Sequence, residues 1–138
     1  MESREFFRQV YNAQMEIQLL RRRRDKYMDM ATGMSGMSET NIRSSGTRSR
    51  VEAAAMQLVE LSDRLDNAAE EYAARVREAE TLISMLDRPK HRQVLTLRYI
   101  ECRSWPEITE IMGYTDKKSA FRIHGWALVA AQKLLDRV

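Results

Sequence analysis

Residues 104–122 read Ser104-Trp105-Pro106-Glu107-Ile108-Thr109-Glu110-Ile111-Met112-Gly113-Tyr114-Thr115-Asp116-Lys117-Lys118-Ser119-Ala120-Phe121-Arg122, and the fold is decided here. Ser104 is a good N-cap, and Glu107 three residues later completes a capping box. Pro106 stands in the first turn, where its missing N–H costs nothing. Ile108, Ile111 and Met112 give the resulting two-turn helix its apolar face, and Gly113 suits the left-handed position that ends it. Thr115 is placed to cap the next helix, with Asp116 favourable against its N-terminal dipole. On that helix Ala120, Ile123, Ala127, Leu128, Ala131 and Leu134 or Leu135 form a buried stripe. Upstream, Pro89 opens a short amphipathic helix carrying Val94, Leu95, Leu97, Arg98 and Tyr99. A short capped helix, a tight glycine turn and a longer capped helix form a helix-turn-helix pattern, whose second helix enters the major groove of duplex DNA.

The solvent side of that second helix carries Lys117, Lys118, Ser119, Phe121, Arg122 and Gly125, the candidate DNA-binding residues. Basic side chains near its N-terminal end stand where base edges and phosphates are met. Gly125 costs about 1 kcal/mol within a helix, which implies close approach of another backbone there. Asp116 would repel phosphate unless it caps locally or accepts a hydrogen bond from cytosine. Trp105 and Tyr114 read as packing residues, and Arg98 as a group that packs and pairs inside the three-helix unit.

Ahead of Pro89 the chain reads as an arm, residues 1–87. Phe6, Val10, Ala13, Ile17, Leu20 and Tyr27 mark a heptad stripe on a first helix of roughly 26 residues, about 40 Å long. Residues 31–49, ATGMSGMSETNIRSSGTRS, lose the pattern and read as a flexible loop. From about Arg50 a second stripe runs through Val51, Ala55, Leu58, Ser62, Leu65, Ala69, Tyr72, Val76, Ala79, Ile83 and Leu86. Such helices cannot bury a stripe alone, so an antiparallel, coiled-coil-like hairpin is expected, with self-association through the arm.

Charge supports this division. Residues 1–50 hold ten basic and six acidic side chains, 51–87 three and nine, and 88–138 ten and five, behind a net charge of only +3. The acidic middle can offset the basic first helix, leaving a basic C-terminal domain, 88–138, to meet an anion. The run Arg21, Arg22, Arg23, Arg24 and the isolated Arg103 are secondary phosphate-contact candidates. The competing reading of the run is a solvated face pairing with Asp63, Asp66, Glu70 or Glu71. Arg43, Arg48 and Arg50 could extend such a patch.

Composition removes other classes. One Cys excludes an intrachain disulfide or multi-Cys zinc site, and His91 and His124 have no partner at metal-ligand spacing. No apolar run reaches bilayer length, so a cytoplasmic protein without membrane contact is expected, nucleoid-associated if it binds DNA. Cys102 beside Arg103 suggests a lowered thiol pKa, but no base or oxyanion arrangement accompanies it. No phosphate-binding glycine loop, paired-carboxylate motif or serine elbow is present, so neither an enzyme nor a cofactor is expected.

The residues Leu95-x-Leu97-Arg98-Tyr99-Ile100, Ser104-Trp105-x-Glu107-Ile108, Met112-Gly113-Tyr114-Thr115 and Ala127-Leu128 resemble region 4 of bacterial sigma factors. That region reads the −35 promoter element and docks on the RNA polymerase flap. The whole chain is similar to small bacteriophage and prophage proteins with a domain of unknown function and a sigma-region-4-like end, whose relatives include late-gene transcription regulators. Arg122-Ile123-His124-Gly125-x-Ala127-Leu128 is especially like that group. Three positions depart from the sigma pattern: Cys102 for a usual Gly, Thr109 for a customary Ala, and Trp126 for a commonly basic residue. The first strains a turn, and the last removes a phosphate contact.

The expectation is thus an all-α protein, a long hairpin arm followed by a three-helix domain that binds double-stranded DNA and contacts RNA polymerase. The alternative is a protein-interaction module that binds RNA polymerase or a sigma factor, or serves as a small-terminase-like packaging component.

Overall fold

The structure, a computed structural model, describes residues 1–32 and 45–137, and every regular element among them is helical. In chain order these are α1 (Ser3–Thr32), α2 (Ser45–Ser84), α3 (Pro89–Leu95), a π turn (Thr96–Ile100), α4 (Trp105–Ile111) and α5 (Lys117–Leu135). Most of the loop expected over 31–49 lies outside the described residues. Its last part does not: α2 starts on Ser45, six residues ahead of Val51, the first residue of the apolar stripe.

The chain divides into two compact units, one of residues 1–14 with 72–138 and one of residues 15–71. In the first, Phe7 and Val10 of α1, Ala79, Leu82 and Ile83 at the end of α2 and Leu86 just beyond it share one core with the C-terminal helices. Val94, Leu95, Leu97, Tyr99, Ile108, Ala120, Ala127, Leu128 and Ala131 complete it. The start of α1 is pinned to α5 by polar bonds as well. The Ser3 amide donates to Gln132 Oε1 (2.6 Å), and the Ser3 hydroxyl donates to the Leu128 carbonyl (2.7 Å). The second unit buries Ile17 and Leu20 of α1 and Ala54 and Leu61 of α2.

The stripe on α2 differs from the expected one. Ala55, Ser62 and Ala69 are exposed, whereas Ala54 and Leu61 are buried and Ala68 half-buried. Val51, Leu58, Leu65, Tyr72, Val76, Ala79, Ile83 and Leu86 stay on the covered side. A helix that shares one position of each heptad can lean either way at the second, and Leu61 outweighs Ser62 in apolar area. On α4, Ile111 is exposed and Thr109 takes the inner place, its hydroxyl donating to the Trp105 carbonyl at 2.8 Å. A hydroxyl satisfied by its own helix can be buried where an alanine would otherwise fit.

Helix ends follow local chemistry. The capping box forms: Ser104 Oγ accepts from the Glu107 amide, and the Glu107 carboxylate accepts from the Ser104 amide, both at 3.3 Å. At the other end of α4, Tyr114 N–H donates to Thr109 O and Gly113 N–H to Glu110 O, with Gly113 at φ +75°, a Schellman closure. The cap of α5 is Asp116 and not Thr115: Asp116 Oδ1 accepts from the Ser119 amide at 3.1 Å. The carboxylate reaches the third residue on, as an N-cap does, and its negative charge complements the helix terminus.

The π turn was not anticipated from the sequence. Glu101 N–H donates to Thr96 O at 2.9 Å, five residues back, which widens the helix before it stops. Cys102 then adopts φ +54° and lets Arg103 N–H reach Leu97 O at 2.8 Å. The departure from Gly noted at this position therefore falls on a backbone conformation that favours glycine.

Candidate nucleic-acid interface

The helices α3 and α4 pack against α5, and Tyr99 of the π turn hydrogen-bonds His124, so the long helix is held by its buried side. That side consists of Ala120, His124, Ala127, Leu128 and Ala131. Helical periodicity then turns Lys117, Lys118, Phe121 and Arg122 outward together. All four are exposed, and Ser119 and Gly125 are half-buried beside them. Among the described residues, none of Lys117, Lys118 and Arg122 forms an ion pair. Asp116 spends its carboxylate on the helix cap, bonding both the amide and the hydroxyl of Ser119. Of the local roles open to Asp116, helix capping is the one it takes.

Phe121 is 47% exposed and packs edge-on against Trp105, with ring centroids 4.9 Å apart. The close approach of a backbone expected at Gly125 is not made by the described residues: a Cβ there would meet nothing within 4 Å. The space lies open on the exposed side of α5, beside Trp126.

The secondary candidates fare differently. Arg103 pairs with Glu107 at 3.1 Å and Glu101 at 3.4 Å. These contacts keep its guanidinium firmly charged, while bonds from Ser104 and then Arg103 hold the Glu107 carboxyl below the usual range. Arg103 thus buttresses the capping box of α4. Arg21, Arg22, Arg23 and Arg24 belong to the other compact unit, where Arg24 pairs with its neighbour Asp25 at 3.1 Å. The structure does not bring them into one unit with α5. Cys102 also departs from expectation, since burial pushes its thiol up and Arg98 only partly offsets that.

One cluster escaped the sequence reading. A cavity of about 370 Å³ is lined by Arg4, Arg8, Tyr11, Asn12, Arg98, Tyr99, Trp105 and His124. The Arg98 guanidinium lies 5.2 Å from the Tyr11 ring centre and 4.9 Å from that of Trp105, and donates to the Arg103 carbonyl at 3.0 Å. Tyr99 Oη and His124 Nε2 are hydrogen-bonded at 2.7 Å. Burial, then the charges of Arg4 and Arg98, push the His124 imidazolium down to about 4, so the ring is neutral at pH 7. The available signal was the spacing Arg4, Arg8, Tyr11 on one face of α1.

Among the described residues, no three His, Cys, Asp or Glu side chains converge as a metal site, and no helix is long and apolar enough to cross a membrane.

Comparison with known sequences adds a family. The profile of a family described as proteins of unknown function, DUF1492, matches residues 33–131, and the chain belongs to that family. No curated protein and no solved structure matches.

Proposed function

Taking membership of that family as the premise, we propose that this chain is a phage-type, DNA-binding transcriptional regulator that works by binding and not by catalysis. In this reading α4, the turn at Gly113 and α5 form a helix-turn-helix resembling sigma factor region 4. The N-terminal half of α5 enters the major groove of duplex DNA. Lys117, Lys118 and Arg122 neutralise phosphates and reach base edges, Ser119 and Phe121 contribute shorter contacts, and the open side of Gly125 admits the sugar-phosphate backbone.

The observation that carries the reading is the unpaired state of Lys117, Lys118 and Arg122 on one exposed face, with the nearby carboxylate committed to a cap. Cations already neutralised by neighbours release few counterions on binding DNA, whereas these remain available to do so. Selection of duplexes from a random pool by the full chain tests it. A consensus should emerge, and Lys117→Ala, Lys118→Ala and Arg122→Ala together should erase it. Uniform recovery of all sequences by the unaltered chain would count against specific recognition.

A second reading, a protein-interaction module that contacts RNA polymerase or a sigma factor, is favoured by a separate groove of about 560 Å³. Met85, Trp126 and Val129 line it and are each at least half exposed, between Arg88 and the pair Lys133 and Arg137. Copurification with polymerase, without retention on DNA at moderate salt, would favour this reading.

A further inference from the structure

We propose that Arg4, Arg8 and Arg98 form a phosphate-binding cleft, walled by Tyr11 and Trp105, in the same compact unit as α5. Three guanidiniums line one cavity, and among the described residues no carboxylate lines it. Among the described residues neither Arg4 nor Arg8 forms an ion pair, and the one hydrogen bond Arg98 donates goes to a neutral carbonyl. Glu2 and Glu5 line an adjoining cleft together with Arg4 and Arg8, and pair with neither at ion-pair distance.

The rest of the lining adds no negative charge. Tyr99 and His124 satisfy one another, and the phenol and imidazole are both neutral at pH 7. Among the described residues no carboxylate pairs with these guanidiniums, and an anion in the cleft supplies that partner. Planar guanidinium forks match the oxygens of a phosphate, each offering paired N–H donors. The stacking of Arg98 between Tyr11 and Trp105 fixes that fork in place, so little side-chain freedom is lost when a ligand arrives. A volume of about 370 Å³ takes a phosphate together with the sugar it esterifies.

Two sources supply this chemistry: a phosphodiester of duplex DNA or a free phosphoester. Trp105 links the cleft to the α5 face, because its ring packs on Phe121. A DNA strand following that face would pass the cleft, so the DNA source rests on the function proposed above, whereas the anion site itself does not.

The test uses the full chain with Trp126→Phe, leaving Trp105 as its single tryptophan reporter. Pyrophosphate is titrated at constant ionic strength against chloride, and duplex DNA affinity is measured across a salt series. The comparison variant is Arg4→Ala with Arg8→Ala, both exposed side chains, with circular dichroism confirming that it folds. Saturable quenching or enhancement of Trp105 by pyrophosphate, lost in the variant, supports the cleft. A fall of about one in the DNA salt slope of the variant assigns the DNA source. Pyrophosphate binding lost with an unchanged DNA slope assigns the free phosphoester. Pyrophosphate binding in a chain that binds no duplex at all leaves the cleft standing and the DNA function refuted. Pyrophosphate binding that survives both substitutions overturns the proposal. So does an absent pyrophosphate response together with an unchanged DNA slope, even while substitutions at Lys117, Lys118 and Arg122 lower that slope.

Discussion

Cys102 and Gly113 occupy equivalent places, each in a left-handed conformation that ends a helix, yet only one is a glycine. Replacing Cys102 by Gly should therefore stabilise the fold by about 0.5–1 kcal/mol, read as a higher midpoint in urea. An equal loss would mean that the contact of its sulfur with the Tyr99 carbonyl outweighs the backbone strain. Gly125 makes the complementary case. Ala is accommodated there without a clash and should add about 0.5–1 kcal/mol of stability, while lowering DNA affinity if a strand approaches that point. His124, unlike an exposed histidine with an unshifted pKa, makes stability depend on pH. Its folded pKa is lowered from 6.5 to about 4, so the unfolded chain binds the proton first as pH falls. The stability it contributes is complete above about pH 6.5 and is lost as pH falls towards 4. Its ring resonances should stay in the neutral position through pH 5 by NMR, and a midpoint near 6.5 would contradict the buried placement. The turn at Gly113 was legible in the sequence because backbone requirements are local, and the strain at Cys102 only through the resemblance to sigma factors, which usually carry Gly there. The burial of His124 was not, since it depends on Tyr99 and Trp105 arriving from other elements.

At the scale of elements, caps and periodicity set the accuracy of the reading. The capping box at Ser104 and Glu107 was readable because both partners lie within four residues, and Ser104→Ala should cost about 1 kcal/mol by denaturant unfolding. The cap of α5 was misplaced by one residue, since Thr115 and Asp116 are both competent and only the backbone path selects between them. On α2 the heptad was legible but its second position was not, because Ala54 with Leu61 and Ala55 with Ser62 and Ala69 fit the same period. The exposed face of α5 was read correctly as to Lys117, Lys118, Phe121 and Arg122, which follow directly from its buried alanines. Its open Gly125 was read as a point of close contact, an inference that confused tolerance of a side chain with exclusion of one.

For the whole molecule, the principal addition is the use made of α1. Phe7 and Val10 enter the core of the C-terminal helices, and Phe7 stacks on Tyr99 with ring centroids 5.1 Å apart. Phe7→Ala should therefore cost about 3–5 kcal/mol and lower the cooperative melting of the unit that holds α5, although residue 7 is far from it in sequence. No local pattern announces this, because a heptad stripe states that a face is covered and not by what. The same long-range packing brings Arg4 and Arg8 of α1 to Arg98, and so creates a basic cleft invisible to a segment-by-segment count of charge. The net charge of +3 conceals it. What decides the proposed function is which cations the fold leaves unpaired.

The most direct measurement is the dependence of duplex DNA affinity on salt concentration for the full chain and for Lys117→Ala, Lys118→Ala and Arg122→Ala combined. If these residues neutralise phosphates, the slope of log affinity against log salt should fall in magnitude by up to about three, with affinity reduced throughout. A slope identical in the two proteins would contradict the assignment of α5 to DNA.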